Sequence, residues 1–189
     1  MKACAWCGKT LKERPTGRPA RFCSTRCRVA AHRGRSPLPD VPVEMTSRPR
    51  WTRRDGKRPI TTAGRSASST DTSTWTTLRD VLDSQAGDGI GFMLGGGIGC
   101  IDLDHCLDGG RLSPLARRVL DALPATYVEV SPSGTGLHVF GLLPERAGRK
   151  VAGVEVYSRA RFMTVTGVPH EASSPVLGDL SAVADALTT

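Results

Sequence analysis

Apolar residues recur every three or four positions in three segments of this chain, a spacing that is typical of amphipathic helices. The segments are residues 74–85, 113–123 and 180–187. In the first segment, Trp75, Leu78 and Val81 share one face. In the second, Ser113 suits the helix cap and Pro114 the first helical position. The pattern therefore predicts three helices in the second part of the chain.

Alternating and continuous apolar runs predict six strands around these helices. They read "IGFML", "IGCIDLD", "TYVEV", "GLHVFGL", "GVEVYS" and "RFMTVTG". Because Gly95 to Gly97 separate the first two runs, we expect those two strands to form a hairpin. This order of elements predicts an α+β fold, with a mainly antiparallel sheet and helices packed on it.

Two pairs of cysteines lie near the start of the chain. Cys4 and Cys7 form a Cys-x2-Cys pair, and Cys23 and Cys27 form a Cys-x3-Cys pair further along. Two such pairs, joined by a hairpin, supply the tetrahedral ligand set of a structural zinc ion. A segment this small cannot bury enough apolar surface to fold alone, so metal binding would provide most of its folding free energy. We therefore predict a zinc-binding module over residues 1–35.

The segment after this module is rich in proline. Residues 36–50 contain four prolines and follow neither a helical nor a strand period. Such a segment is typical of a linker, or of an arm that lies over the next domain. We expect the catalytic domain to cover residues 51–189.

The formal net charge of +8, from 26 Lys and Arg against 18 Asp and Glu, favours a polyanionic partner. No apolar run approaches the roughly eighteen residues of a spanning helix, and the opening "MKACAWCGK" has no apolar signal core. We therefore expect a cytoplasmic protein without a membrane partner. Thiols stay reduced in that compartment, so we interpret Cys100 and Cys106 as small buried apolar side chains.

Asp102 and Asp104 stand on alternate residues of an otherwise apolar strand. Since side chains alternate across a strand, both carboxylates leave the same face, about 7 Å apart. Like charges this close repel each other, and a divalent cation between them removes the repulsion. An exposed, solvated pair on an edge strand is the alternative. A calcium loop of the EF-hand type is excluded, because Cys106 and Leu107 occupy positions that need an oxygen ligand and glycine.

Two later segments carry groups that match this acidic pair. "SPSGTGLH" is a small-residue turn that runs into a strand, and the backbone N–H groups of such a turn suit an anionic phosphate. His138 ends this segment. Glu155 and Tyr157 share one face of the next predicted strand, and Arg161 begins the last one. Together these groups are the ones that hold metal ions and a triphosphate.

These motifs, in this order, resemble those of the primase-polymerase (Prim-Pol) domains of the archaeo-eukaryotic primase superfamily, in particular the small versions of actinobacterial phages and plasmids. The first family motif, an acidic pair on alternate residues, resembles "IDLDHC". The second, a small residue followed shortly by histidine, resembles "SPSGTGLH", and the third, an acidic residue on a strand, resembles "VEVYS". The resemblance covers residues 51–167.

The resemblance implies nucleotidyl transfer that makes or extends primers on a single-stranded DNA template, with nucleoside triphosphates as substrates. It implies that Asp102, Asp104 and Glu155 bind two Mg²⁺ or Mn²⁺ ions and that His138 contacts the phosphates of the incoming nucleotide. Many family members have aspartate where Glu155 stands, and either carboxylate binds these ions. The other candidates for nucleotide binding are Ser133, Gly134, Thr135, Gly136, Arg161 and Lys57.

The four-cysteine module resembles zinc knuckles found near such primases, which implies a grip on single-stranded template. Trp6 and Phe22 would either stack on a base or form the small core of the module. The arginines that would bind phosphates are Arg21, Arg26, Arg28 and Arg33. A separately encoded replicative helicase is an expected partner, and we expect only one short helix after Gly167 in place of the usual C-terminal helical domain.

Two other classes of function stay open at the level of the sequence. A metal-dependent nuclease also uses a two-metal carboxylate site, although the "SPSGTGLH" turn suits a triphosphate. A non-catalytic, zinc-finger DNA-binding accessory of replication is the second alternative, although all three acidic positions are present.

Overall fold

A computed structural model describes residues 4, 11, 20–25, 27, 28 and 41–188 of the protein. The chain divides into two compact units, Met1–Leu38 and Pro39–Thr189. The predicted zinc ligand Cys7 lies outside the described residues, as do Trp6, Arg26 and Arg33.

In the smaller unit, residues 25, 27 and 28 are helical, and Ser24 directly precedes them. The Ser24 hydroxyl accepts the backbone N–H of Cys27 at 3.2 Å, and its carbonyl accepts the N–H of Arg28 at 3.1 Å. A serine at this position satisfies donors that a helix start would otherwise leave unpaired.

The larger unit contains short helices and many strands. Helices α1 to α4 cover Val43–Thr46, Leu78–Asp83, Pro114–Ala122 and Ser181–Thr188, and a 3-10 turn covers Thr72–Thr74. Strands β1 to β6 cover Trp51–Asp55, Arg58–Ile60, Gly89–Met93, Ile98–Leu103, Leu107–Asp108 and Arg111–Leu112. Strands β7 to β11 cover Tyr127–Val130, Leu137–Leu142, Arg149–Val151, Val154–Tyr157 and Phe162–Val165.

The strands form two main antiparallel sheets. The four-stranded sheet has the order β11-β3-β1-β2, and the five-stranded sheet has the order β7-β8-β4-β10-β9. Strands β5 and β6 pair separately as a small ribbon. The predicted α+β class, with mainly antiparallel sheet, is confirmed.

The predicted hairpin between the first two apolar runs was wrong. Strand β3 pairs with β1 and β11, whereas β4 lies between β8 and β10 in the other sheet. The connecting Gly95, Gly96 and Gly97 all have positive φ, of 133°, 62° and 85°, and only an isolated bridge joins Gly95 to Ile98. Because glycine reaches this region of backbone space without steric cost, the chain turns sharply enough to pass from one sheet to the other.

The first predicted helix is shorter than its apolar spacing indicated. Thr77 and Asp80 form a capping box, in which each side chain accepts the backbone N–H of the other, so α2 begins at Leu78. Trp75 lies before the helix, and its indole N–H donates to the carbonyl of Ser68 at 2.6 Å. Capping therefore prevailed over periodicity in setting this boundary.

Strands β1 and β2 form a hairpin that the apolar pattern did not predict. The segment "WTRRDGKRPI" is too rich in arginine to show clear alternation. The guanidinium of Arg53 lies along the chain and donates to the carbonyls of Val81 and Gly87 at 3.3 Å each, and also to that of Ala86. Hydrogen bonds from the charged Arg53 guanidinium to backbone carbonyls thus take the place of apolar contacts along part of this strand.

The N-terminal arm of the larger unit packs against its core. Met45 of α1 is buried, and its carbonyl accepts the indole N–H of the buried Trp51 at 3.0 Å.

In the part of the chain that the structure describes, no helix has the length and apolar character needed to cross a membrane.

The five-stranded sheet has one face that is apolar over the four strands β7, β8, β4 and β10, and one divided face. Ile101, Val139 and Val156 are buried on the first face, in one cluster with residues of α3 and α4. On the second face, Cys100 and Phe140 stand opposite each other and join the core with residues of the four-stranded sheet. A step of two residues along each strand keeps the same face, and there the apolar side chains give way to polar ones.

Candidate active site

A single row of polar residues crosses all five strands of the larger sheet. In register, Glu129 on β7 pairs with His138 on β8, which pairs with Asp102 on β4, then Glu155 on β10 and Lys150 on β9. Directly opposed residues of antiparallel strands place their side chains on the same face. The structure therefore brings together three predicted site residues, Asp102, His138 and Glu155.

Asp102 lies at the centre of this row with its side chain 17% exposed. Burial raises the pKa of its carboxyl, and the neighbouring carboxylates of Asp104 and Glu155 raise it further, against the opposing effect of His138. A carboxylate that has lost water and faces two other acidic groups is stabilised by a cation. Asp102 is therefore a candidate ligand for a metal ion.

Asp104 is the first residue after β4 and is exposed to solvent. Its backbone N–H donates to the carbonyl of Gly153 at 3.0 Å. Gly153 precedes β10, so this bond ties the end of β4 to the start of the neighbouring strand. His105 then adopts a positive φ of 49°, which turns the chain away from the sheet.

Glu155 differs from Asp102 because cationic and hydroxyl donors already surround it. Its carboxylate, 9% exposed, accepts from Lys150 Nζ, from Tyr157 Oη at 2.7 Å and from Arg161 Nη2 at 3.5 Å. The hydrogen bond from Lys150 and then that from Tyr157 lower its pKa. The Arg161 guanidinium also stacks on the Tyr157 ring, 4.3 Å from its centroid.

His138 is buried between two carboxylates. Its Nδ1 lies 3.2 Å from Glu129 Oε1, and its Nε2 lies 3.8 Å from Asp102 Oδ1. Burial acts to lower the pKa of His138, but the hydrogen bond and charge of Glu129 and the charge of Asp102 outweigh it, so the pKa is raised. This environment favours an imidazole that donates hydrogen bonds.

Sequence reasoning missed Glu129 and Lys150. Glu129 is the lone charged residue in "TYVEV" and alternates with apolar neighbours, which is the same signal that identified Asp102. Lys150 lies on the short, exposed strand β9, whose sequence has no apolar pattern. Its place beside Glu155 follows only from the pairing of β9 with β10.

The turn at residues 131–136 joins β7 to β8 beside this row. It is closed by backbone bonds from Ser131 N–H to the Gly136 carbonyl and from Gly134 N–H to the Ser131 carbonyl, each 2.9 Å. The hydroxyls of Ser131, Ser133 and Thr135 form a chain with 3.0 Å steps. A side chain at Gly136 would come within 2.8 Å of the Leu103 carbonyl, so the turn lies against the end of β4.

The structure does not bring Lys57 to this row. Lys57 is exposed in the turn between β1 and β2, and β2 is the edge strand farthest from β11 in its sheet. β11 is the strand whose end contacts the row: the backbone N–H of Thr166, one residue beyond β11, donates to Glu129. With strands about 4.8 Å apart, β2 is separated from β11 by about 14 Å.

The three described N-terminal cysteines fit a zinc ion. The Sγ atoms of Cys4, Cys23 and Cys27 all lie within 4.8 Å of one another. The Cys23 and Cys27 sulfurs are 3.5 Å apart, too far for a disulfide of about 2.05 Å. The backbone N–H of Cys23 donates to Cys4 Sγ at 3.4 Å. Three converging sulfurs are a ligand set that zinc prefers.

The carboxylates fit divalent ions by their chemistry rather than by their present separation. Within the described ranges, the cysteine cluster is the one group whose ligand atoms all lie within 4.8 Å. Glu155 is turned toward Lys150 and Tyr157, whereas Asp102 Oδ1 lies 3.8 Å from His138 Nε2. Hard carboxylate oxygens are the donors that Mg²⁺ and Mn²⁺ prefer.

Comparison with known proteins gives two matches. Residues 28–177 match the family described as "Bifunctional DNA primase/polymerase, N-terminal". A protein described as a DNA primase-polymerase, from Nitratiruptor phage NrS-1, is 39% identical over 121 residues. That similarity covers 55% of this chain and 16% of the phage protein. The chain therefore corresponds to a small part of its relative. The family match over residues 28–177 includes the whole polar row.

Proposed function

This chain belongs to the family of bifunctional DNA primase/polymerase N-terminal domains, and from that membership we propose that it is a template-directed nucleotidyltransferase. It would join nucleotides into primers, or extend primers, on single-stranded DNA. The observation that supports this most directly is the pairing of His138, Asp102 and Glu155 in one row across adjacent strands.

The row and the adjoining Asp104 would provide a metal platform and a phosphate site. Asp102, Asp104 and Glu155 would hold Mg²⁺ or Mn²⁺. When bound, such ions neutralise charge on the triphosphate and activate the attacking 3′-hydroxyl. Glu155 would exchange its contact with Lys150 for one with the metal ion. The Lys150 side chain is 65% exposed and free to move outward.

His138 and the turn before it would bind the triphosphate. The imidazole would donate a hydrogen bond to a phosphate oxygen, since its raised pKa favours the protonated form. The turn places Ser133 and Thr135, with their hydroxyls and backbone N–H groups, at the same end of the sheet. Arg161 lies on the other side of Glu155 and would add positive charge. A cluster of donors around one anion is the arrangement that phosphoryl chemistry uses.

The smaller unit would hold the template. Cys4, Cys7, Cys23 and Cys27 would bind one zinc ion, and nearby arginines would contact DNA phosphates. Among the described residues, the Arg21 guanidinium lies 5.6 Å from the centroid of the Phe22 ring. Starting a primer requires two nucleotides held on a template without an existing end, and a clamp on the template reduces that entropic cost.

The remaining partners follow from the same proposal. The substrates would be nucleoside triphosphates, and the site of action would be the cytoplasm, where template and nucleotides meet. A separately encoded helicase would supply single-stranded template.

A primer-synthesis assay tests the proposed function. Unprimed single-stranded DNA would be incubated with labelled nucleotides and Mg²⁺ or Mn²⁺, using wild type and Asp102→Ala plus Asp104→Ala. A matched control, Asp108→Ala plus Asp121→Ala, removes two exposed aspartates from other parts of the larger unit. Products made by wild type and the control alone would support the proposal. No synthesis by wild type, with no extension of a supplied primer, would contradict it.

A further inference from the structure

We propose that Glu129 is a positioning residue, which holds the His138 imidazole in the orientation that binds the triphosphate. This inference rests on the proposed function, because only nucleotide binding would require a fixed orientation of the imidazole. Glu129 belongs to none of the three motifs that resemble the Prim-Pol family. Its role is argued from its burial, its hydrogen bonds and its place in the sheet.

Glu129 is fully buried, with 0% of its surface exposed. A carboxylate taken out of water is costly unless hydrogen-bond donors surround it. Its oxygens accept from Tyr127 Oη at 3.0 Å, from the backbone N–H of Thr166 at 3.0 and 3.1 Å and from that of Gly167 at 3.0 Å. His138 completes the set through Nδ1.

This donor set fixes which ring nitrogen of His138 faces Asp102. The backbone N–H groups of Thr166 and Gly167 can only donate, so the Glu129 oxygens that face them act as acceptors. The same carboxylate must therefore accept from His138, and Nδ1 carries a proton. Nε2 then points away from Glu129 and toward Asp102, 3.8 Å distant.

Glu129 also joins the imidazole to the other sheet. Thr166 and Gly167 directly follow β11, the edge strand of the four-stranded sheet, and Arg161 directly precedes it. An edge strand has unpaired backbone groups that need partners. By accepting the N–H groups of the two residues that follow β11, the Glu129 carboxylate links His138 to the end of the strand that Arg161 precedes.

Apolar side chains border the position of Glu129 on this face. The adjacent row of this face holds Tyr127, Phe140 and Cys100, all buried. Replacing a buried ionic group by a well-packed apolar one is often neutral or stabilising. Here, however, an apolar residue would leave the N–H groups of Thr166 and Gly167 and Nδ1 of His138 without this acceptor, so the carboxylate serves both the strand end and the imidazole.

Binding of 2′-deoxyadenosine 5′-triphosphate with Mg²⁺, measured by calorimetry, tests the proposal in the full chain. Glu129→Gln keeps the shape but removes the charge, and we expect the Kd to rise by about tenfold, the scale of one hydrogen bond to a charged group. Tyr127→Phe removes a different hydrogen bond from the same carboxylate. We expect it to change the Kd by less than about twofold, because the contact with His138 remains.

A double-mutant cycle separates positioning from a general loss of structure. If Glu129 acts through His138, Glu129→Gln should have almost no further effect on the Kd in a His138→Ala background. Equal effects of Glu129→Gln with and without His138 would overturn the proposal. So would a wild-type protein that does not bind the nucleotide.

A measurement on the wild type decides the case even if Glu129→Gln does not fold. Nitrogen-15 NMR of the metal-free protein should show His138 protonated at Nδ1, and an unprotonated Nδ1 would overturn the inference. Failure of the proposed function has a different signature: nucleotide binding and the Nδ1 proton would be present, yet the primer assay would yield no product.

Discussion

Asp102 and Glu155 stand directly opposite each other on β4 and β10, yet their pKa values shift in opposite directions. Burial raises the pKa of Asp102, and its acidic neighbours add to that shift. Hydrogen bonds from Lys150 and Tyr157 lower the pKa of Glu155. The charge of Asp102 is therefore disfavoured by its surroundings, whereas the charge of Glu155 is already stabilised by cations and a hydroxyl of the protein.

Asp102→Asn should abolish nucleotidyl transfer and stabilise the fold. In the wild type, a raised folded pKa means that stability is greatest below the unfolded value of 3.8 and falls as pH rises through the folded value. At pH 7 the variant avoids this cost, and we expect the melting temperature to rise by a few degrees, as about 1 kcal/mol gives in a domain of this size. Calorimetry at pH 7 and at pH 4 measures the difference. A lower melting temperature at pH 7 would show that the Asp102 carboxylate is structural.

Glu155→Gln should show the opposite dependence on pH. Because the folded pKa is lowered, the wild-type carboxylate contributes stability above the unfolded value of 4.5 and loses it as pH falls through the folded value. We therefore expect the variant to be less stable than wild type at pH 7, by about 1 kcal/mol or less because Lys150 is solvated. Denaturant unfolding across pH 2–7 follows the gap, which should close at acidic pH. A gap independent of pH would contradict the assigned role of charge.

Lys150→Gln should increase the affinity for Mn²⁺ in the absence of nucleotide. Lys150 Nζ forms an ion pair with the Glu155 carboxylate, so a metal ion must compete with the lysine. Removal of the lysine should therefore lower the Kd for Mn²⁺ by roughly three- to tenfold. Titration calorimetry measures the affinity. Lys57→Gln is the matched control, since Lys57 is exposed in the hairpin turn of the other sheet. Equal effects of the two substitutions would show that only net charge matters.

Cys23→Ser should release zinc and weaken primer initiation more than primer extension. Cys23 contributes one of the converging sulfurs, and loss of a ligand destabilises a unit that depends on its metal. We expect close to one zinc per chain in wild type and in Cys106→Ala, a buried cysteine of the larger unit. Elemental analysis gives the zinc content, and paired assays on unprimed and primed templates give the two rates. Normal initiation by a zinc-free protein would remove the clamp from the proposed mechanism.

Single-strand binding should weaken with salt, and the arginines of the smaller unit should carry part of that dependence. Arg21→Ala or Arg28→Ala should each reduce the slope of log affinity against log salt by about one ion. Arg111→Ala is the control, because this exposed arginine pairs with Asp108 in the β5–β6 ribbon. Fluorescence anisotropy with a labelled oligonucleotide measures the slopes. A reduction in the control alone would move the DNA-binding surface to the larger unit.

The sequence by itself determined the features that depend on residues close to one another along the chain. The alternation of polar and apolar residues placed Asp102 among buried side chains, and it placed Glu155 between the buried Val154 and Val156. This pattern is readable because the two-residue period of a strand is local. The Ser113 and Pro114 signal correctly predicted the start of α3, since capping involves only the first turn. The α+β class followed from the succession of these local patterns.

Only the tertiary structure decided which strands are neighbours. The period of a strand states which face a residue occupies but not which strand lies beside it. For this reason the run before Gly95 and the run after Gly97 were expected to pair, and they lie in different sheets. For the same reason Glu129 became the partner of His138, and Lys150 that of Glu155, only through pairings of β7 with β8 and of β9 with β10. The charge balance of the site depends on these non-local pairings, whose register is selected by packing over the whole core.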